Sequence, residues 1–91
     1  MAELLPKQAY SKLMQSIKRI KEHWNADRQE SALPYDIDHS LKSAIDGCIT
    51  EFRIRAGGLE GRTRLIEGVI CYLRDKGIII KSPYGGHWFP D

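Results

Sequence analysis

The run LRDKGIIIKSPYGGHWFP, residues 73–90, constrains the fold of this chain more than any other stretch. A helical pattern reaches Leu73 and breaks at Gly77, and three isoleucines follow at once. Branched at Cβ, Ile78, Ile79 and Ile80 lose side-chain freedom in a helix but pack well on a pleated surface, so they predict a strand. Pro83, Gly85 and Gly86 supply a turn, His87, Trp88 and Phe89 are again strand-like, and Pro90 stops the pairing. The expectation is a β-hairpin over about 78–89. A two-stranded hairpin alone is marginal in water. It must therefore lean on helices through one face, supplied by Ile78, Ile80, Trp88 or Phe89, with Trp88 favoured as an anchor. Its tip, with Lys81, Ser82, Tyr84 and His87, then projects into solvent.

Upstream, apolar residues recur at helical spacing in three segments. Tyr10, Leu13, Ile17, Ile20 and Trp24 step by three and four, which predicts a helix over about 6–24 with Pro6 in its first turn. That stripe averages 3.5 residues and suits a long helix packed at a shallow angle, in the same chain or in a second copy; as an interface it makes a homodimer plausible. NADRQESALPYD breaks the pattern, giving a loop over about 25–36, after which Asp36 or Asp38 is placed to cap a helix. Ile37, Leu41, Ala44, Ile45, Cys48, Ile49 and Phe52 mark that second helix, about 37–55, ended by Gly57 or Gly58. Leu65, Ile66, Val69, Ile70 and Leu73 line a third, about 60–76. The fold class is mainly α with a small C-terminal β-hairpin, an α+β arrangement of three helices plus a hairpin in a single domain spanning 1–91.

Ninety-one residues, 42% of them hydrophobic, support one modest core. Net charge is +2, but its distribution is uneven: +3 over residues 1–24, −3 over 25–50 and +2 over 51–91. No apolar run approaches the ~20 residues of a membrane span, and the first residues lack the apolar core of a signal peptide, so no membrane partner and a cytoplasmic location are expected. Cys48 and Cys71, both among apolar neighbours and without C-x-x-C spacing, read as buried reduced thiols.

LIEGVICYLRDKGIIIKSPYGGHWF, residues 65–89, resembles the C-terminal part of winged helix-turn-helix domains. There an amphipathic recognition helix ends in a leucine–lysine–glycine–hydrophobic phrase, here Leu73, Lys76, Gly77 and Ile78, and a hairpin wing follows, here tipped by Ser82 to Gly86. The chain departs from that pattern in its long second helix and in having no small strand after the first. The resemblance implies double-stranded DNA as partner, with the third helix in the major groove, the wing on the backbone or minor groove, and contacts from Arg62, Arg64 and Lys81.

Read on their own, the basic residues agree. Arg53, Arg55, Arg62, Arg64, Arg74, Lys76 and Lys81 cluster around the helix turn, the third helix and the hairpin, where they could neutralise several phosphates. The candidate nucleic-acid contacts are Arg53, Arg55, Arg62, Arg64, Lys76 and Lys81, with Ser82, Tyr84 and His87 at the hairpin. Glu60, Glu67 and Asp75 are interleaved with them, which keeps a second class open: an adaptor or inhibitor that binds a protein partner through the hairpin or first helix without nucleic acid. GGLEGRTR, residues 57–64, lacks the G-K-[ST] ending of a phosphate loop and follows no strand. His23, His39, His87 and the cysteines show no metal-ligand spacing, and no nucleophile lies beside a base, so neither a cofactor nor an enzymatic activity is expected.

Overall fold

The computed structural model describes residues 4–30, 37–83 and 85–90. Its elements are α1 (Lys7–Glu30), α2 (Asp38–Glu51), α3 (Gly58–Asp75), β1 (Ile80–Lys81) and β2 (His87–Trp88). Helices α1 and α2 pack together, α3 packs on α2, and the two strands form an antiparallel hairpin with Ile80 opposite Trp88 and Lys81 opposite His87. This is the α+β arrangement of three helices and a C-terminal hairpin that the spacing predicts.

The core forms where the helical stripes meet. Leu13, Ile17 and Trp24 of α1 are buried with Ile37, Leu41, Ile45, Cys48 and Ile49 at α2 and with Val69, Ile70 and Leu73 of α3. Tyr10 and Ile20 are partly buried against the same cluster. Of the stripe expected at a dimer or partner interface, Leu13, Ile17 and Trp24 are buried in the chain's own core, whereas Tyr10 and Ile20 keep part of their surface in solvent.

Helix ends depart from expectation in instructive ways. Pro6, which has no N–H to lose, accepts the Tyr10 N–H at 2.9 Å and starts α1. The helix then runs on past Trp24 to Glu30. The apolar stripe ends at Trp24, but Ala26, Arg28, Gln29 and Glu30 are good helix formers and nothing among them breaks the backbone. At the other end of the 31–36 gap, Ile37 occupies the cap position of α2 without a side-chain bond and Asp38 is its first residue. Asp38 is therefore not the cap, and Asp36 lies outside the described residues.

Helix α2 stops at Glu51, four residues early, because Arg53 takes the left-handed conformation at φ 51. Ile54 N–H donates to the Ile49 carbonyl at 3.0 Å and Arg53 N–H to the Thr50 carbonyl at 3.2 Å, the bond pair of a Schellman ending. Arginine thus does the work expected of Gly57 or Gly58, and Gly57 instead precedes α3 as its cap residue. Helix α3 ends by the same device with the expected residue: Gly77 at φ 77, its N–H to Arg74 O and Ile78 N–H to Leu73 O, both at 3.0 Å.

That second ending sets the phase of the hairpin. Ile78 is used up in closing the helix and is partly buried, so the next residue, Ile79, is the one driven fully into the core. Ile80 is exposed, which corrects the expected inward face by one position. On the return strand Phe89 is the buried anchor, edge-on to Trp24 with ring centroids 5.7 Å apart, while Trp88 is only partly buried.

Candidate nucleic-acid interface

The turn between α2 and α3 is built backbone against backbone. A Cβ placed on Gly61 would lie 1.5 Å from the Ala56 carbonyl oxygen, so no other residue fits while the turn keeps this path. Arg53 and Arg55 are exposed in that turn.

Arg62, one turn into α3, is placed differently from the other arginines. Its Nε bonds Asp46 Oδ1, and its Nη2 donates to Thr50 Oγ1 and, at 3.0 Å, to the Asp46 carbonyl. All three acceptors belong to α2, so the guanidinium fastens α3 to its neighbour. The side chain remains 31% exposed, but its fork is occupied. Arg64 has an 80% exposed side chain and reaches Glu60 only at 3.9 Å, a contact of little energetic weight. Lys76, at the far end of α3, holds its ammonium 5.6 Å from the ring centre of Tyr72, whose ring in turn stands edge-on to Tyr10 of α1.

At the hairpin, Lys81 is exposed. Ser82 and His87 are only 5% and 9% exposed, so they do not stand at a solvent-facing tip. Their burial has a structural cause. Ser82 N–H bonds the Gly86 carbonyl at 3.0 Å and closes the turn. The His87 carbonyl accepts the Ile37 N–H at 3.0 Å, and its Nδ1 lies 2.9 Å from Asp38 Oδ1, where an ionised carboxylate can only accept, so Nδ1 donates. Tyr84 lies outside the described residues.

Of the nine candidate contacts, then, Arg53, Arg55, Arg64, Lys76 and Lys81 are exposed, at the helix turn, along α3 and on the hairpin. The exposed side of α3 also carries Glu60, Glu67 and Asp75. Charges of both signs therefore share the exposed side of α3 along its whole length.

The sequence gives no sign of the Asp38–His87 pair, whose members are 49 positions apart. They line a shallow depression of ≈270 Å³ shared with Lys42, Glu67, Cys71 and Arg74. Cys71 is exposed there, 3.7 Å from Arg74 Nη2, contrary to the expected burial, because it points away from the Val69–Ile70–Leu73 face. Cys48 is buried as expected, and burial, reinforced by Glu51 and partly offset by Lys12, pushes its thiol pKa up. Among the described residues the buried His87 Nε2 has no hydrogen-bond partner, and the Nδ1 contact with Asp38 ties the hairpin to α2. Among the described residues no group of three or more His, Cys, Asp or Glu side chains is placed to hold a metal ion, and no helix is long and apolar enough to cross a membrane. No protein-family model, curated protein or solved structure matches this chain.

Proposed function

We propose that the chain is a small winged-helix-like protein that binds double-stranded DNA, in the service of transcriptional or replication control, and holds it mainly by its phosphates. The observation that carries this reading is an arrangement. Two helices joined by a tight turn run straight into a hairpin, and exposed cations stand at the turn (Arg53, Arg55), on α3 (Arg64), at its end (Lys76) and on the hairpin (Lys81). Each phosphate contact releases about 0.9 counterion from a duplex, so five contacts give a log–log salt slope near −4.5.

The test is fluorescence anisotropy of a labelled random-sequence duplex titrated at two salt concentrations. Binding that weakens steeply with salt supports the reading, whereas no binding at low salt sinks it. One observation favours the rival, a protein-binding adaptor without nucleic acid: Glu60, Glu67 and Asp75 share the exposed side of α3 with the arginines, and each repels a phosphate at close range. Failure of the duplex titration leaves that rival as the reading to pursue.

A further inference from the structure

A second surface lies between α1 and the chain that leaves α3. The two enclose an open groove of ≈310 Å³, with Met14, Ile17, Ile78 and Phe89 on its floor and Lys18 and Lys21 on its α1 lip. Ile17 and Phe89 are almost wholly buried, but Met14 and Ile78 keep part of their apolar surface in solvent. Methionine adapts its shape to varied apolar side chains, which suits a docking floor.

Among the described residues the charge around this groove is one-sided. No described carboxylate lines it, whereas Asp38 and Glu67 line the depression near His87 and Glu60 lines the one beside Leu59. The exposed side chains of α1 between residues 7 and 25 include Lys7, Lys12, Lys18, Arg19 and Lys21 against Glu22 alone. Lys18 and Lys21 are three positions apart on a helix, hence neighbours on one edge of the groove.

We infer that this groove is a docking site for an acidic segment of a partner protein, one that sets an apolar side chain on the Met14–Ile78 floor and carboxylates against Lys18 and Lys21. A duplex has no apolar projection to fill the floor. Of the exposed large apolar residues described, Ile80 is followed by Lys81, and Leu59, although beside Glu60, stands among Arg55, Arg62 and Arg64; Leu4, which follows Glu3 in the sequence, is the residue of a second copy that the test must separate from a partner's acidic segment. The inference is independent of the DNA reading, since none of its residues belongs to the proposed phosphate surface.

Methyl NMR on the full chain tests it with three synthetic probes: a peptide of Glu and Asp around a central Leu-Phe pair, the same peptide with Lys for every acid, and the acidic peptide with Ser in place of Leu-Phe. The expected result is saturable movement of the Met14, Ile17 and Ile78 methyls with the first probe alone. The doubly reversed variant Lys18→Glu/Lys21→Glu, whose changes are both exposed and whose folding a thermal melt verifies, should weaken that binding about tenfold. The proposal is overturned if those methyls stay still at millimolar acidic peptide, or if the charge-reversed variant binds equally well. It is likewise overturned if the methyls respond only to protein concentration, which would make a second copy the occupant, or only to duplex DNA.

Discussion

Replacing Arg62 by alanine separates its role in the fold from its expected role in DNA contact. The guanidinium makes three bonds to α2, to Asp46 Oδ1, the Asp46 carbonyl and Thr50 Oγ1. A fully buried hydrogen bond to a charged group contributes about 1.5–3 kcal/mol, and an exposed ion pair about 0.2–1 kcal/mol. With Arg62 31% and Asp46 49% exposed, the set falls between these limits, at about 1–2 kcal/mol in total. For a domain of this size each kcal/mol moves the melting temperature by about 4–8 °C, so Arg62→Ala should melt roughly 5–15 °C below the parent. Thermal unfolding followed by circular dichroism reads this directly, and a double-mutant cycle with Asp46→Ala should return a coupling of about 1 kcal/mol, because the two share the contact. Arg64→Ala is the control. Its side chain stands in solvent, so it should melt with the parent yet reduce the salt slope of duplex binding by about 1. If Arg62→Ala melts with the parent and loses duplex affinity and slope as Arg64→Ala does, the assignment of Arg62 to the helix–helix contact is wrong.

Four further outcomes follow from the same geometry. Arg53→Gly removes a side chain from a left-handed position that costs a non-glycine residue about 1 kcal/mol, so it should raise stability by about 0.5–1 kcal/mol in denaturant titration while lowering the duplex salt slope; a destabilised variant would contradict the Schellman ending. Gly61→Ala forces a Cβ onto the Ala56 carbonyl and should cost at least about 2 kcal/mol, with unchanged stability showing that the turn takes another path. A thiol reagent should label Cys71 in the native protein and Cys48 only after unfolding. Because burial raises the Cys48 pKa, the unfolded chain gives up that proton first and the folded chain holds more protons, so stability should fall as pH rises above the ordinary thiol value of about 8.5; Cys48→Ala should flatten that alkaline limb, and an unflattened one would refute the assignment.

What was legible in the sequence is what repeats. Leu13, Ile17, Leu41, Ile45, Val69 and Leu73 recur at the spacing of one helix face, and each is buried. Gly77 before three isoleucines marks a helix end and a strand because glycine and β-branched residues have opposed backbone preferences. What does not repeat was not legible. Asn25 to Glu30 continue α1 without an apolar residue in phase to betray it. Arg53 adopts a conformation that its residue type disfavours, imposed by the α2–α3 turn rather than by local preference. Arg62 with Asp46, and His87 with Asp38, are pairs separated by 16 and 49 positions, and only the packed helices bring them together. The candidate site suffers more than the fold from this, since a basic residue in sequence carries no mark of whether a carboxylate across the helix pair has already claimed it.

Glu67, the acidic residue near the middle of α3, need not count against the proposed DNA contact if the helix crosses the duplex rather than lying flat against a phosphate ridge. Its 18 residues span ~27 Å, with Arg53 and Arg55 fixed near one end by the Schellman ending of α2 and Lys76 fixed at the other by that of α3. A major groove is about 12 Å wide between its phosphate walls. Cations at both ends of the helix would then stand outside the groove mouth, against the two backbones, while Glu67 near the middle would face the groove floor, where the exocyclic amino group of cytosine is the donor a carboxylate can accept from; Glu60, in the first turn, would stay beside the cations of that end. The hairpin completes the arrangement: Phe89 against Trp24 and His87 on Asp38 hold it to α1 and α2, so Lys81 is presented from a strand that cannot swing away from the end of α3.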